Sequence, residues 1–264
     1  MNSPAVAPRI TQRILAPLVR VHLPTVPEAL ASLLRTIIVA LFLLTFLLQP
    51  QLVPSESMER TLLVGDFVLV DKEIFAPAGK PGSLVSWLEP HRDVSRGDIV
   101  VFHHPEPPYL VKRVAGVPGD RIRMEDGHVT VNGTPQAEPY AAFEPVMRGV
   151  FPDEFPGKVY PDPQVDSGWW RQLQSLTRNG ELVVPEGEYF VLGDNRNHSL
   201  DSRFWGFVPR QAIIARPLVI YFSLTRPSST DVQQAEDVRL GHDGELSSRL
   251  IGFARWKRIF RIVH

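Results

Sequence analysis

The uncharged stretch TIIVALFLLTFLL, Thr36 to Leu48, constrains this chain more than any other segment, because so uniform an apolar run must find an apolar environment. Continued through QPQLV to Val53, it would rise about 27 Å as a helix, close to the roughly 30 Å hydrocarbon core of a bilayer. Leu33 and Leu34 can lengthen it, with Arg35 reaching back to the interface. The expectation is a single transmembrane anchor over residues 36–53, preceded by a segment 1–35. That segment carries Arg9, Arg13, Arg20 and Arg35 against one acid, Glu28. Positive residues stay on the cytoplasmic side, so the N-terminus is expected inside and the rest of the chain outside. A buried core helix and a cleavable signal peptide are the alternatives. The long segment before the run, and Pro50 and Pro54 beside Ser55 and Ser57, weigh against cleavage.

Beyond Ser57 the texture changes to short β-branched runs punctuated by Gly, Pro and Asp. VGDFVLVDKEIF (64–75), RGDIVVFHHP (96–105), YLVKRVAGVPGD (109–120), EGEYFVLGDN (186–195) and VPRQAIIARPLVIYFSL (208–224) read as strands with turn signals. RIRMEDGHVTVNG (121–133) sets Asp-Gly between two alternating runs, which predicts a hairpin. Strands without amphipathic helices between them imply a mainly β fold of antiparallel sheets. The expected division is a core from 54–120 and 187–225, an inserted β-rich subdomain at 121–186, and a polar linker with a basic amphipathic tail at 226–264. On a helical wheel of that tail, Phe253, Trp256, Ile259, Phe260 and Val263 share one side, which suits an interfacial helix; an element docked on the domain is the equal alternative.

The net charge of −1 gives no footprint for nucleic acid. The absence of cysteine removes disulfides, thiol nucleophiles and thiolate metal sites. His103 and His104, adjacent on a strand, point to opposite faces and make a poor chelating pair, and no H-E-x-x-H is present. G-x-S-x-G is absent as well. What remains is serine without an obvious histidine. Lysine can serve as its base if burial disfavours the ammonium. Lys112 shares a strand face with Leu110 and Val114 and has no acid beside it, whereas Lys72 lies between Asp71 and Glu73. On pattern alone a snorkelling role for Lys112 remains open. GDNRNHSLDSRFWGFVP (193–209) packs many hydrogen-bonding residues just after a strand, and reads either as a structured turn or as support for an active group.

Taken together and in this order, VPSESM…TLLVGDFVLV, RGDIVVF, YLVKRVAGVPGD and VLGDNRNHSLDSRFWGFVP after an N-terminal anchor resemble the type I signal peptidases, membrane-bound Ser/Lys proteases. The resemblance covers 53–120 and 187–224. It implies an antiparallel β-sheet catalytic domain with Ser57 as nucleophile and Lys112 as general base. The Ser57 N–H and the Ser55 hydroxyl would form the oxyanion hole. Ser199 would hydrogen-bond the lysine amine, with Asp201 and Arg203 holding their loop. Val53, Pro54, Met58, Leu62, Leu110 and Val111 would line pockets for small substrate side chains. The implied substrates are the signal peptides of exported preproteins, cut at the face of a bacterial inner membrane, without metal or cofactor. A peptidase dedicated to one special substrate, and a membrane-tethered β domain that only binds, are the alternatives. The chain departs from the family pattern at Arg60, where proline is usual, and at Asn197-His198, where an acid and an amide are common.

Overall fold

The computed structural model of the chain describes residues 25–42, 48–72, 75, 92–105, 109–143, 154–156, 163–225 and 254–264. Contacts divide it into two units, 1–41 and 42–264. The first unit is represented by helix α1 (Val26–Phe42). Its start is marked by one half of a capping box: the Thr25 N–H donates to Glu28 Oε2 at 2.8 Å, and the Thr25 carbonyl accepts from Ala29 N. Helix formation therefore begins ten residues before the expected anchor, at a polar signal that hydropathy does not register. Leu30, Leu33, Leu34, Ile37, Ile38 and Leu41 are all exposed on it. Among the described residues no helix is long and apolar enough to cross a membrane. Residues 43–47 of the expected anchor, and the expected linker at 226–248, lie outside the described residues.

The second unit is built from antiparallel strands: β1 (Leu48–Leu52), β2 (Asp66–Asp71), β3 (Ile99–His103), β4 (Tyr109–Gly116), β5 (Arg121–Glu125), β6 (His128–Val131) and β7 (Thr134–Pro135). Then follow helix α2 (Ser167–Leu176), β8 (Thr177–Arg178), β9 (Glu181–Val183), β10 (Glu188–Leu192), helix α3 (Ser202–Trp205), β11 (Val208–Pro209), β12 (Ile213–Ser223) and β13 (Arg261–Ile262). The larger sheet runs β1-β2-β12-β3-β4-β10-β11, with β13 added to β12; the smaller runs β7-β6-β5-β9-β8.

The segment Leu48–Leu52 corrects the expected helical anchor to Val53. It is an edge strand, registered from Leu48 opposite Asp71 to Leu52 opposite Phe67. Pro50 explains the switch. It removes a hydrogen bond from any helix interior, but an edge strand has one side where no N–H is needed.

The hairpin signal behaves as its chemistry dictates. Asp126 (φ 49°) and Gly127 (φ 76°) both take the left-handed conformation that the tight turn between β5 and β6 demands. β10 is buried on both faces. Tyr189 and Val191 enter one core cluster with Val100, Phe102 and Val114, while Phe190 and Leu192 enter the core of the smaller sheet. A period of two thus makes this strand the seam between the sheets. Helix α2, inside the segment read as β-rich, was not apparent in the sequence. Asp166 caps it by accepting from the Trp169 N–H at 2.7 Å, and Trp169 and Leu173, four residues apart, anchor it in the core of the smaller sheet.

Of the two readings of the tail, the element docked on the domain is the one observed for residues 254–264. Residues 254–264 dock as a bridge from Ala254 to Leu224, a short turn and β13, with Phe260 N–H donating to the Ile220 carbonyl at 2.7 Å. Arg255 and Arg258 bind the fully buried Asp66, whose other partners are the Ser223 hydroxyl and the Leu63 N–H. The exposed flank of β12 offers a ladder, and Asp66 a buried charge to neutralise; a helix would satisfy neither.

Candidate active site

Ser57 sits in a single 3-10 turn, Glu56–Met58, where the chain leaves the extended Ser55 (φ −126°, ψ 158°). Met58, buried beside Val53 and Leu62, fixes the turn in the core. The Ser57 carbonyl accepts from the Asn195 N–H at 3.0 Å, so the late polar loop holds the serine's backbone directly. The two hydroxyls, Ser55 Oγ and Ser57 Oγ, lie 3.3 Å apart.

Lys112 comes from β4, where Val100 of β3 faces it across the ladder. β10 pairs with β4 only at Arg113, Val114 and Gly116, so on that side the β4 edge at 109–112 has no strand partner among the described residues. The Lys112 side chain is buried, and burial pushes its ammonium down to about 8. The Asp201 carboxylate opposes this shift and the Arg203 guanidinium adds to it. Ser57, Ser55 and Lys112 line one cavity of about 490 Å3 together with Val53, Pro54, Met58, Leu62, Leu110 and Val111. Residues 53 to 112, far apart in the chain, are thus gathered at one wall.

Ser199, Asp201 and Arg203 form the support behind it. Ser199 Oγ donates to Asp201 Oδ2 at 2.8 Å, and the Gly193 N–H donates to the same oxygen at 3.0 Å. Arg203 clamps Asp201 through Nε (2.8 Å) and its terminal nitrogen (3.0 Å), and ties the loop to the Arg196 carbonyl at 2.6 Å. Burial opposes ionisation of Asp201, but the charge and hydrogen bonds of Arg203 outweigh it and hold the carboxyl below its usual range. Gly193 has to be glycine for space: a Cβ there would stand 2.2 Å from Ser199 Oγ and 2.5 Å from the Ser57 carbonyl oxygen.

Residues 26–222 match the family model described as signal peptidase, peptidase S26. The chain belongs to this family. It is 31% identical to signal peptidase I of Pseudomonas aeruginosa, over 83% of this chain and 80% of that protein. It is 34% identical to signal peptidase I of Aquifex aeolicus, over 77% and 87% of the two chains, and 33% identical to that of Leptolyngbya laminosa, over 75% and 81%. This S26 peptidase is accordingly a serine peptidase.

Sequence reasoning missed an equally built site on the other face of β4. Arg113 donates to both Asp194 oxygens at 2.8 Å, to the Gly97 carbonyl at 2.9 Å and to the His264 carbonyl oxygen at 3.1 Å, while its guanidinium lies 3.8 Å from the Tyr140 ring centre. Thr61 Oγ1 adds a bond to Asp194 at 2.5 Å. Arg196 pairs with Glu138, tying the insertion to the late loop. Separations of 81 residues for Arg113–Asp194 leave no local pattern to read. The departure at Arg60 has a backbone reason. Its φ is +83°, which proline cannot adopt, and its side chain reaches the Ala141 carbonyl at 3.0 Å. His103 and His104 do diverge, His103 onto Tyr109 and His104 onto Trp205, and no group of three or more potential metal ligands occurs among the described residues.

Proposed function

We propose that this chain is a membrane-anchored endopeptidase that removes N-terminal signal peptides from exported preproteins, with Ser57 as nucleophile and Lys112 as general base. The observation that carries the reading is a lysine buried in the same cavity as Ser57 whose ammonium is driven down to about 8 by that burial. Such an amine is available as a base near neutral pH, where an ordinary lysine is not.

The substrate enters as an extended strand along the unpartnered edge of β4 at 109–112, main-chain hydrogen bonds setting its register. The aliphatic wall of Val53, Met58, Leu62 and Val111 receives the small side chains before the cut. Neutral Lys112 Nζ takes the proton from Ser57 Oγ, which attacks the scissile carbonyl. The Ser55 hydroxyl and the Ser57 N–H stabilise the oxyanion. The lysine ammonium then gives its proton to the leaving amine, and water, activated by the same lysine, hydrolyses the acyl-enzyme. Ser199 has its proton on Asp201, so its oxygen is left to accept from the lysine amine.

The exposed aliphatic residues of helix α1 support an N-terminal anchor, with Arg9, Arg13 and Arg20 before it in the cytoplasm and the catalytic unit outside the bacterial inner membrane. Purified enzyme in detergent, given a model preprotein, is expected to release a mature chain whose sequenced N-terminus follows a small residue. Ser57→Ala is expected to lose this cleavage while remaining folded. Cleavage retained by Ser57→Ala would remove Ser57 from the role.

A further inference from the structure

Two cavities meet at Ser55. The first contains Ser57 and Lys112 and is walled mostly by aliphatic side chains. The second, of about 410 Å3, is walled by Glu56, Gln164, Asn197, His198 and Ser199, besides Val64. Pro54, Ser55, His198 and Leu200 stand in both walls. Ser57 and Lys112 line only the first; Glu56 and Ser199 line only the second.

An extended peptide advances about 3.3 Å per residue, so one whose carbonyl is held at Ser57 crosses the shared wall within one or two residues. We propose that the second cavity is the subsite for the residues just after the scissile bond, and that Glu56 makes it select a cationic side chain there. This inference rests on the reading of Ser57 as nucleophile.

The chemistry of the walls sets the assignment. The first cavity suits small apolar side chains. The second is better suited to the hydrophilic start of a mature protein, because amide, hydroxyl, imidazole and carboxylate groups share its wall with Pro54, Val64 and Leu200. Among its described lining residues Glu56 is the only carboxylate, and no lysine or arginine is present. Glu56 directly precedes Ser57 in the same turn, and its carbonyl accepts from the Glu59 N–H at 2.9 Å, so its place relative to the nucleophile is fixed by backbone. His198, at the position where this chain departs from the family pattern, stands on the boundary between the cavities. Gln164 comes from the insertion, which thereby contributes to the choice of substrate.

The test uses the full chain in detergent and two preproteins identical except for lysine or glutamate at the second residue after the cut. The kcat/KM ratio of lysine to glutamate substrate is measured for wild type, Glu56→Gln and Glu56→Lys. Glu56 is exposed, so the wild-type ratio is expected to be about two- to fivefold, shrinking with added salt. Glu56→Gln should bring it near one, and Glu56→Lys should invert it. Cleavage of both substrates with one ratio in all three proteins overturns the subsite alone. Cleavage of neither by wild type overturns the peptidase reading, and the subsite with it.

Discussion

Lys112 and Arg113 are neighbours on one strand, both cations, and both buried, with 2% and 5% of their surface exposed. Pleating sends them to opposite faces, and there their circumstances diverge. Arg113 meets a carboxylate in fork geometry, two carbonyls and an aromatic face. Lys112 meets a cavity, and the carboxylate that acts on it most, Asp201, is already occupied by Arg203, Ser199 and Gly193. One burial is compensated and holds the fold; the other is left largely uncompensated and lowers the amine's pKa to about 8, which is what the proposed role as base requires. Loss of solvation becomes structural or chemical according to what the other groups on that face supply.

Substitutions can break this contrast, and the largest effect is expected at Lys112. Lys112→Met should lower kcat/KM for a preprotein by about 10⁴-fold, the upper range for losing a general base. It should also make the fold more stable. The folded pKa, about 8, lies below that of an unfolded lysine, so the penalty is complete below pH 8 and disappears as pH rises through the unfolded value. At pH 7 the gain in urea denaturation should approach about 3 kcal/mol. A Lys112→Met protein that is both inactive and less stable would contradict the contrast. Arg113→Met should do the reverse: by stranding the buried Asp194 it should cost about 3–5 kcal/mol of stability, read from the urea midpoint. Ser55→Ala is smaller again, a loss of about 10²–10³ in kcat with the urea midpoint unchanged, since Ser55 is exposed and only its hydroxyl is at issue.

These two faces were unequally legible in the sequence. Lys112 could be singled out because its apolar surroundings, Leu110 and Val114, are its own strand neighbours at period two. The partner of Arg113 could not, because Asp194 is delivered by the loop after β10, 81 residues along the chain and beyond the insertion. The strands were legible wherever β-branched residues alternated and a turn signal followed, as at Asp126-Gly127. The anchor's end was not, because nothing local to LQPQL beyond Pro50 marks a strand, and pairing with β2 decides its conformation. The tail's sequence leaves a helix and a docked element equally open for a similar reason. Its residues satisfy a helical wheel, but Asp66 and the flank of β12 exist only after folding, and they draw Arg255, Arg258 and β13 into place. Helix α2 does space Trp169, Trp170, Leu173 and Leu176 at helical intervals, but it is only ten residues long and lies in a segment otherwise rich in Pro, Gly and polar residues.

The most direct test of the central claim is the pH dependence of kcat/KM for a preprotein whose own ionisations lie outside the range. An amine held near 8 by burial predicts a tenfold rise per pH unit below that value and a plateau above it. The rise should report the free enzyme and be absent from the residual rate of Lys112→Met. A rate still climbing above pH 10, as an ordinary lysine would give, or one that does not depend on pH between 6 and 9, would contradict the account.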